Sequence, residues 1–271
     1  MANCINPIDL LQISLSAGKE IMAVYGQELA VEAKADDSPL TIADQRSHRV
    51  IEAGLSSAYP DIPVLSEEGS EVSYAERKNW KRFWLVDPLD GTKEFIKRNG
   101  EFTVNIALIE GNYPVLGAIY APATDVFYYG EEQDGAFKLE GASTVKLKDI
   151  AELSKKSVPL SVRKAGDQIR VVASRSRMSA ETQDFIERLK EVGKVVETVA
   201  AGSSLKFCLV AEGLTDYYPR YAPTMEWDTA AGQAIVEAAG GNVRNTKDQS
   251  RFSYNQENLK NDWFLAAGQA E

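Results

Sequence analysis

The chain has 271 residues, 44% of them hydrophobic, which is ample for a sizeable core in one large domain or two closely packed ones. Its formal net charge of -10 argues against a nucleic-acid polymer or an anionic membrane surface as the partner. An anionic small substrate stays compatible with this charge where bound cations reverse the local field.

The first half of the chain reads as helices followed by strands. Apolar residues at helical spacing predict helices over residues 7–28 and 42–58. Short apolar runs predict strands at Val64-Leu65 and at Phe83 to Val86. Further strands separated by turns predict an antiparallel meander over residues 102–109, 115–120, 126–129 and 136–139.

The pattern changes near residue 155. The polar stretch 155–159 is interpreted as a linker, and strands then alternate with helices. Strands are predicted at residues 169–173, 194–198 and 263–267, and helices at 179–191, 203–212 and 227–239. We therefore expect an α+β half over residues 1–158 packed on an α/β half over residues 159–271, with the functional site between them.

Cysteine and histidine usage narrows the chemistry. Cys4 and Cys208 are far apart and form no CxxC pair, so we expect no disulfide framework and a reducing, cytoplasmic environment. Cys208 lies in an apolar stretch and is predicted to be core. The single histidine, His48, excludes a multi-histidine zinc site and is expected on a helix surface.

Membrane attachment finds little support in the sequence. No stretch approaches the roughly 20 apolar residues of a membrane span, and the N-terminus does not read as a signal peptide. A peripheral position on the cytoplasmic face of the inner membrane stays open, although no amphipathic or basic anchor is visible. The sequence also leaves a homodimer open.

Two carboxylates and a hydroxyl stand together directly after the strand ending at Val86. Asp-Pro is expected to break that strand and Asp-Gly to form a turn in the segment Asp87-Pro88-Leu89-Asp90-Gly91-Thr92. Ligands commonly bind at the carboxyl ends of strands in open α/β sheets. The alternative is an ordinary turn, because Asp, Pro and Gly are common turn residues.

Three more acidic residues stand at predicted element ends. Glu67 follows a strand, Asp44 lies early in a helix, and Asp228 begins another helix. Each has a purely structural explanation, such as surface charge, a capping box or the helix dipole. Together with Asp87 and Asp90, however, they would repel one another unless cations were bound, and oxygen-only ligands suit Mg²⁺.

Two long motifs carry a family resemblance. The segment WLVDPLDGT at 84–92 with Phe95, and the segment WDTAAG at 227–232 running to Gly240-Gly241, resemble the two signatures of the inositol monophosphatase superfamily. The resemblance implies a layered αβαβα sandwich and a Mg²⁺-dependent, lithium-sensitive phosphomonoesterase that binds two or three ions.

The resemblance also implies roles for the carboxylates. Glu67, Asp87 and the backbone carbonyl of Leu89 would hold a first metal. Asp87, Asp90 and Asp228 would hold a second, with Asp87 bridging the two. Thr92 would orient the attacking water, and Asp44 would stand behind it. Paired cations of this kind activate water and neutralise phosphate in an in-line displacement.

The second half indicates the substrate. Cations near the expected site of an acidic chain suggest a substrate with two phosphates, and the segments around Lys206 and Arg220 resemble the bacterial 3'(2'),5'-bisphosphate nucleotidase branch. That branch hydrolyses 3'-phosphoadenosine 5'-phosphate (PAP) to AMP. The implied substrate contacts are Gly91, Ser203, Lys206, Arg220, Arg177 and Asp228, with Tyr218 or Tyr221 against the adenine.

Other functions stay open at this point. An inositol or other sugar monophosphatase on the same scaffold is the main alternative, and Glu226 supports it because a carboxylate there would suit substrate hydroxyls. A non-enzymatic protein that keeps a metal site is a third hypothesis. A haloacid-dehalogenase enzyme is disfavoured, since its two aspartates stand two residues apart and Asp87 and Asp90 stand three apart.

Overall fold

The structure is a computed structural model. It describes residues 5–25, 42–174 and 178–269, together with the backbone of residues 32–33 and 39–40. The helices there are α1 (Pro7–Val24), α2 (Ile42–Ala58), α3 (Tyr74–Arg77), α4 (Thr92–Ile96), α5 (Ile150–Lys156), α6 (Ala180–Glu191), α7 (Leu205–Ala211) and α8 (Glu226–Ala238). Within the described ranges, no helix is long and apolar enough to cross a membrane.

The strands form two larger sheets and a short antiparallel pair. The pair is β1 (Glu32–Ala33) and β2 (Pro39–Leu40). The seven-stranded sheet has β3 (Val64–Ser66), β4 (Arg82–Asp90), β5 (Thr103–Glu110), β6 (Tyr113–Ala121), β7 (Val126–Glu131), β8 (Gly135–Glu140) and β9 (Val158–Leu160) in that order. The five-stranded sheet runs β11 (Val195–Ala201), β10 (Gln168–Ser174), β12 (Tyr217–Arg220), β14 (Phe264–Ala267) and β13 (Asn242–Asn245).

Alternating side chains bury both faces of the seven-stranded sheet. In β4, Trp84 and Val86 face a core shared with α1 and α2, whereas Phe83 and Leu85 face a second core shared with α7 and α8. This period of two is what a strand covered on both sides requires. Gly117 in β6 lets α8 approach closely, because a Cβ there would collide with the carbonyl of Ala231.

The five-stranded sheet lies on the other side of α7 and α8, and α6 covers its outer face. Ile169 and Val171 of β10 pack with Ile186 of α6 in a third, smaller core. The layers therefore follow the order helix, sheet, helix, sheet, helix, which confirms the predicted αβαβα sandwich.

Most predicted elements are present, but two predictions of secondary structure are wrong. The meander is confirmed, since strands β4 to β8 pair antiparallel in sequence order. The predicted linker at 155–159 instead holds the end of α5 and most of β9, which pairs with β8. The seven-stranded sheet thus extends to Leu160. Cys208 is core as predicted, whereas His48 is largely buried, and its Nδ1 lies 3.0 Å from Ser66 Oγ.

The second correction concerns the strand before the aspartates. Asp87-Pro88 was expected to end it, yet β4 continues to Asp90. Asp87 pairs with Asn105 and Asp90 with Thr103, so Pro88 and Leu89 together face a single residue of β5. Proline fits such a bulge because it lacks the N–H that a regular ladder uses. The Pro88 carbonyl instead accepts a 2.7 Å hydrogen bond from Ser47 of α2.

Candidate active site

Five carboxylates converge where β3, β4, α2 and α8 meet. Asp87 is 1% exposed, and burial raises its pKa well above the usual range. The negative charges of Glu67, Asp90, Asp228 and Asp44 raise it further, in that order. The structure therefore brings together all the acidic residues that the sequence analysis proposed for the metal site.

Asp90 is held by the loop before α7. Its Oδ2 accepts hydrogen bonds of 2.6 Å from the Ser203 hydroxyl and 2.6 Å from the Ser204 backbone N–H. The Ser203 hydroxyl is thus engaged with the carboxylate across the boundary between the two sheets. Ser203 has φ 52°, a left-handed conformation that is uncommon for a residue with a side chain.

Asp228 is the third residue of α8. Its Oδ2 accepts a 2.9 Å hydrogen bond from the N–H of Met225, which caps the helix. Burial raises the pKa of Asp228 to about 8, and Asp90 and Glu67 raise it as well, against the opposing effects of Met225 and Arg220. From the sequence, the helix dipole was the structural explanation for Asp228, and the structure adds this cap. Neither accounts for the negative charges gathered around the residue.

The donor set matches a hard divalent cation. Buried carboxylates that raise one another's pKa repel, and a bound cation relieves that repulsion. In the part of the chain that the structure describes, no three His, Cys, Asp or Glu side chains form a preformed metal cluster. A backbone carbonyl, water and phosphate oxygens are the further ligands that Mg²⁺ takes at sites of this kind.

The turn after β4 brings the remaining predicted residues together. The Thr92 hydroxyl lies 3.4 Å from the Leu89 carbonyl oxygen. Gly91 has φ 91°, and a Cβ there would lie 2.9 Å from the Glu101 carbonyl oxygen and 3.2 Å from Ser203 Cβ. Glycine is therefore needed at this turn for its backbone conformation and for close approach.

A cavity of about 210 Å³ opens beside the carboxylates. Seven predicted residues line it, namely Asp90, Gly91, Ser203, Lys206, Tyr218, Arg220 and Asp228. The rest of its wall includes Lys93 and Glu94. The proposed phosphate-binding cations and two proposed metal ligands thus share one pocket between the two sheets. Arg177, the remaining predicted contact, lies outside the described residues.

Lys206 is a buried cation in this pocket. It is 5% exposed, its Nζ donates to the Ser203 carbonyl, and it lies 5.4 Å from the centre of the Tyr218 ring. Burial lowers the pKa of Lys206 to about 8. Asp90 opposes that shift, and Arg220 adds to it.

Arg220 ends β12 with donors to spare. Its Nη2 donates to the Pro223 carbonyl at 3.2 Å, while its buried Nε has no hydrogen-bond partner among the described residues. Tyr218 is buried among Phe207 and Phe264, so its ring supports the pocket floor. Tyr221 packs on Trp263 with ring centres 5.6 Å apart, and the residues of the pocket wall do not include it.

Glu226 has a structural role that the sequence did not indicate. Its two carboxylate oxygens accept 2.7 and 2.8 Å hydrogen bonds from the N–H groups of Asn255 and Gln256. The residue is 1% exposed, and burial raises its pKa to about 7 despite these bonds and the nearby Arg77. Glu226 therefore anchors a loop, and its place as a contact for substrate hydroxyls is wrong.

Sequence reasoning missed Thr103, Asn105 and Ser204, which lie behind Asp90. The Thr103 hydroxyl is 2.7 Å from each of the Ser203 and Ser204 hydroxyls. A signal was available, because Thr103 and Asn105 are the polar residues of the otherwise apolar run 102–109 and stand two positions apart. That spacing places both on one face of β5, opposite the aspartates of β4.

Comparison with known proteins agrees with the fold. The Inositol monophosphatase family pattern matches residues 6–268, so the chain belongs to this family. It is 46% identical over 255 residues to the 3'(2'),5'-bisphosphate nucleotidase CysQ of Salmonella typhimurium, covering 93% of this chain and 96% of that protein. The corresponding Escherichia coli K12 protein is 47% identical over 234 residues, covering 86% and 87% of the two chains.

A solved structure is also similar. Crystalline CysQ from Bacteroides thetaiotaomicron, described as a bacterial member of the inositol monophosphatase family, superposes with a TM-score of 0.88. It is 44% identical, and the match covers 98% of this chain and 99% of that one.

Proposed function

We propose that the protein is a Mg²⁺-dependent phosphomonoesterase that hydrolyses PAP to AMP and phosphate. The observation that carries the proposal is the buried Lys206 in the pocket beside the carboxylates, next to Arg220. A buried cation costs free energy unless an anion pairs with it. The carboxylates of Asp90, Glu94 and Glu101 offset only part of this cost, because the pKa of Lys206 stays lowered. A monophosphate ester bound at the metals leaves no second phosphate for Lys206, whereas a bisphosphate supplies one. The similarity to CysQ nucleotidases supports the same conclusion.

The metal would be held by oxygen ligands from both halves of the chain. Glu67, Asp87 and the Leu89 carbonyl would bind one ion, and Asp87, Asp90 and Asp228 another. Bound Mg²⁺ supplies activation of water and neutralisation of phosphate charge. The site would hold two or three Mg²⁺ ions.

The protein's own groups position the reactants. The Thr92 hydroxyl donates to the Leu89 carbonyl and would accept a hydrogen bond from the attacking water, with the buried Asp44 behind it. The water oxygen forms a bond to phosphorus as the bond from phosphorus to the 3' oxygen breaks. In the net reaction, one proton of the attacking water ends on the leaving 3' oxygen to give AMP, and the other stays with the released phosphate. Phosphoryl transfer of this kind depends mainly on positioning and charge stabilisation.

Lys206 and Arg220 would hold the 5'-phosphate, which does not react. Arginine binds phosphate through a planar fork, and lysine binds it as a point charge. The sugar monophosphatase alternative depended on Glu226, whose oxygens are both occupied by backbone N–H groups.

The decisive substrate pair is PAP and adenosine 3'-phosphate, which share base, sugar and scissile ester. We expect a KM about 10- to 100-fold lower for PAP, since a charge-assisted hydrogen bond contributes about 1.5–3 kcal/mol. Release of one phosphate per PAP, with AMP as product and loss of activity in EDTA, completes the test. Equal KM values would contradict the assigned role of the cations, and activity in EDTA would contradict that of the carboxylates.

A further inference from the structure

A buried chain of hydroxyls lies behind Asp90. Thr103, Asn105 and Ser204 are at most 2% exposed. Starting from Asp90 Oδ2, the Ser203 hydroxyl is 2.6 Å away, the Thr103 hydroxyl is 2.7 Å beyond it, and the Ser204 hydroxyl is another 2.7 Å further. The Asn105 amide closes the chain, 3.0 Å from the Thr103 hydroxyl and 2.8 Å from the Ser204 hydroxyl.

Each hydroxyl has a single proton, and this fixes the direction of the hydrogen bonds in the series. A carboxylate oxygen only accepts, and Asp90 Oδ2 lies 2.6 Å from the Ser203 hydroxyl, nearer than the Asp90 carbonyl oxygen at 3.2 Å. The Ser203 hydroxyl therefore donates its one proton to Oδ2, which also accepts the Ser204 N–H. Thr103 must then donate to Ser203, and Ser204 must donate to Thr103, because each hydroxyl has a single proton. No hydroxyl proton is left for the two contacts with Asn105, so the amide has to be the donor there.

The burial of the amide leads to the same conclusion. With Asn105 Oδ1 turned to the hydroxyls, Nδ2 is buried and has no hydrogen-bond partner among the described residues. A 180° turn of the amide exchanges the two atoms and brings its two N–H groups to the two hydroxyl oxygens. An unpartnered buried NH₂ group, with two donors, is thereby avoided.

We propose that Asn105 and Thr103 are positioning residues for Asp90. The Asn105 amide begins a one-way series of hydrogen bonds that runs through Ser204, Thr103 and Ser203 and ends on Oδ2 of Asp90. The fixed Oδ2 leaves Oδ1, which accepts no hydrogen bond from the described residues, available to a cation. The inference rests on the proposed function, in which Asp90 is a metal ligand, and it assigns the Ser203 hydroxyl to that carboxylate.

The test compares single-atom changes within the chain of hydroxyls. Thr103→Val removes the hydroxyl at nearly constant shape, Thr103→Ser keeps it, and Asn105→Asp replaces the donors by acceptors. Mutation of a residue that hydrogen-bonds to a metal ligand typically lowers metal affinity or activity about 10- to 100-fold. We expect a loss of that size for Thr103→Val and Asn105→Asp in Mg²⁺ affinity, measured by calorimetry without substrate, and in kcat for PAP. KM for PAP should change less than about threefold, and Thr103→Ser should be close to wild type.

Thr215→Val is the matched control. Thr215 is 1% exposed and lies outside the pocket wall, and its buried hydroxyl has no hydrogen-bond partner among the described residues. It should leave Mg²⁺ affinity unchanged. If Thr103→Val does not fold, as judged by circular dichroism, Ser204→Ala breaks the same series while keeping the Ser204 N–H, and a loss of about threefold or more is expected. Wild-type Mg²⁺ affinity in the folded variants would overturn the inference.

Two further outcomes separate the inference from the function on which it rests. Wild-type affinity in Asn105→Asp alone would show that the amide accepts, which overturns the proposed direction. A wild-type protein that binds Mg²⁺ but does not hydrolyse PAP would refute the proposed function, while the metal-affinity data would still decide the positioning role.

Discussion

Replacing Lys206 by methionine should stabilise the protein and weaken substrate binding. A pKa of about 8, against an ordinary 10.5, corresponds to a penalty of about 3 kcal/mol for keeping the charged form at neutral pH. The lost hydrogen bond to the Ser203 carbonyl offsets part of this, on the order of 1 kcal/mol. We therefore expect the free energy of unfolding at pH 7 to rise by about 2 kcal/mol.

The sign of the pH dependence provides a second check. Because the folded-state pKa of Lys206 lies below its unfolded value, the unfolded protein binds more protons between about pH 8 and 10.5. The contribution of Lys206 to stability therefore becomes more favourable as pH rises through that range. The stabilising effect of Lys206→Met should shrink accordingly and vanish near pH 10.5.

The assay combines urea unfolding with steady-state kinetics. Lys206→Met should raise KM for PAP about 10- to 100-fold and leave KM for adenosine 3'-phosphate nearly unchanged. Lys190→Met is the matched control, since Lys190 is an exposed lysine on α6 whose side chain is 47% exposed. A Lys206→Met protein that is less stable at pH 7 and has an unchanged KM for PAP would refute the reasoning.

Three further variants test other groups. Asp228 has a folded-state pKa of about 8 against an ordinary 3.8, so its contribution to stability is lost as pH rises toward 8. The melting temperature of the EDTA-treated protein should therefore fall from about pH 5 to 8. Asp228→Asn should make that fall smaller. An unchanged slope would contradict this. Asp90→Asn should stay folded by circular dichroism and lose more than about a hundredfold in kcat and in Mg²⁺ affinity by calorimetry. Retained activity and affinity in this variant would contradict the assignment of Asp90 as a metal ligand. Glu226→Gln leaves one of two backbone N–H groups without its acceptor, so the free energy of unfolding in urea should fall by about 1–3 kcal/mol. KM for PAP should stay unchanged. A rise in KM would show that Glu226 contacts the substrate.

The sequence predicted regular elements well where burial decided the pattern. The meander strands carry continuous apolar runs because both faces of their sheet are covered, and such runs are readable without the structure. The bulge at Pro88 was not predictable from local propensity, since pairing with β5 overrides the turn tendency of Asp-Pro. The strand at 158–160 was not predicted either, because it is only three residues long and forms through its pairing with β8.

The candidate site was predictable as a set of charges and not as a set of contacts. Asp87, Asp90 and Asp228 were found because acidic residues at element ends have few structural explanations when they converge. The role of Glu226 depends on backbone groups about 30 residues away in sequence, which no local pattern shows. Thr103 and Asn105 gave a usable signal, two polar positions on one face of an apolar strand.

The central claim is that the pocket is built for a substrate with two phosphates. It is tested most directly by kcat/KM for PAP and for inositol 1-phosphate, measured side by side in Mg²⁺. We predict at least about a tenfold preference for PAP, since only PAP places a second phosphate against Lys206 and Arg220. A preference for inositol 1-phosphate would leave the carboxylate site intact and contradict the assignment of the cations.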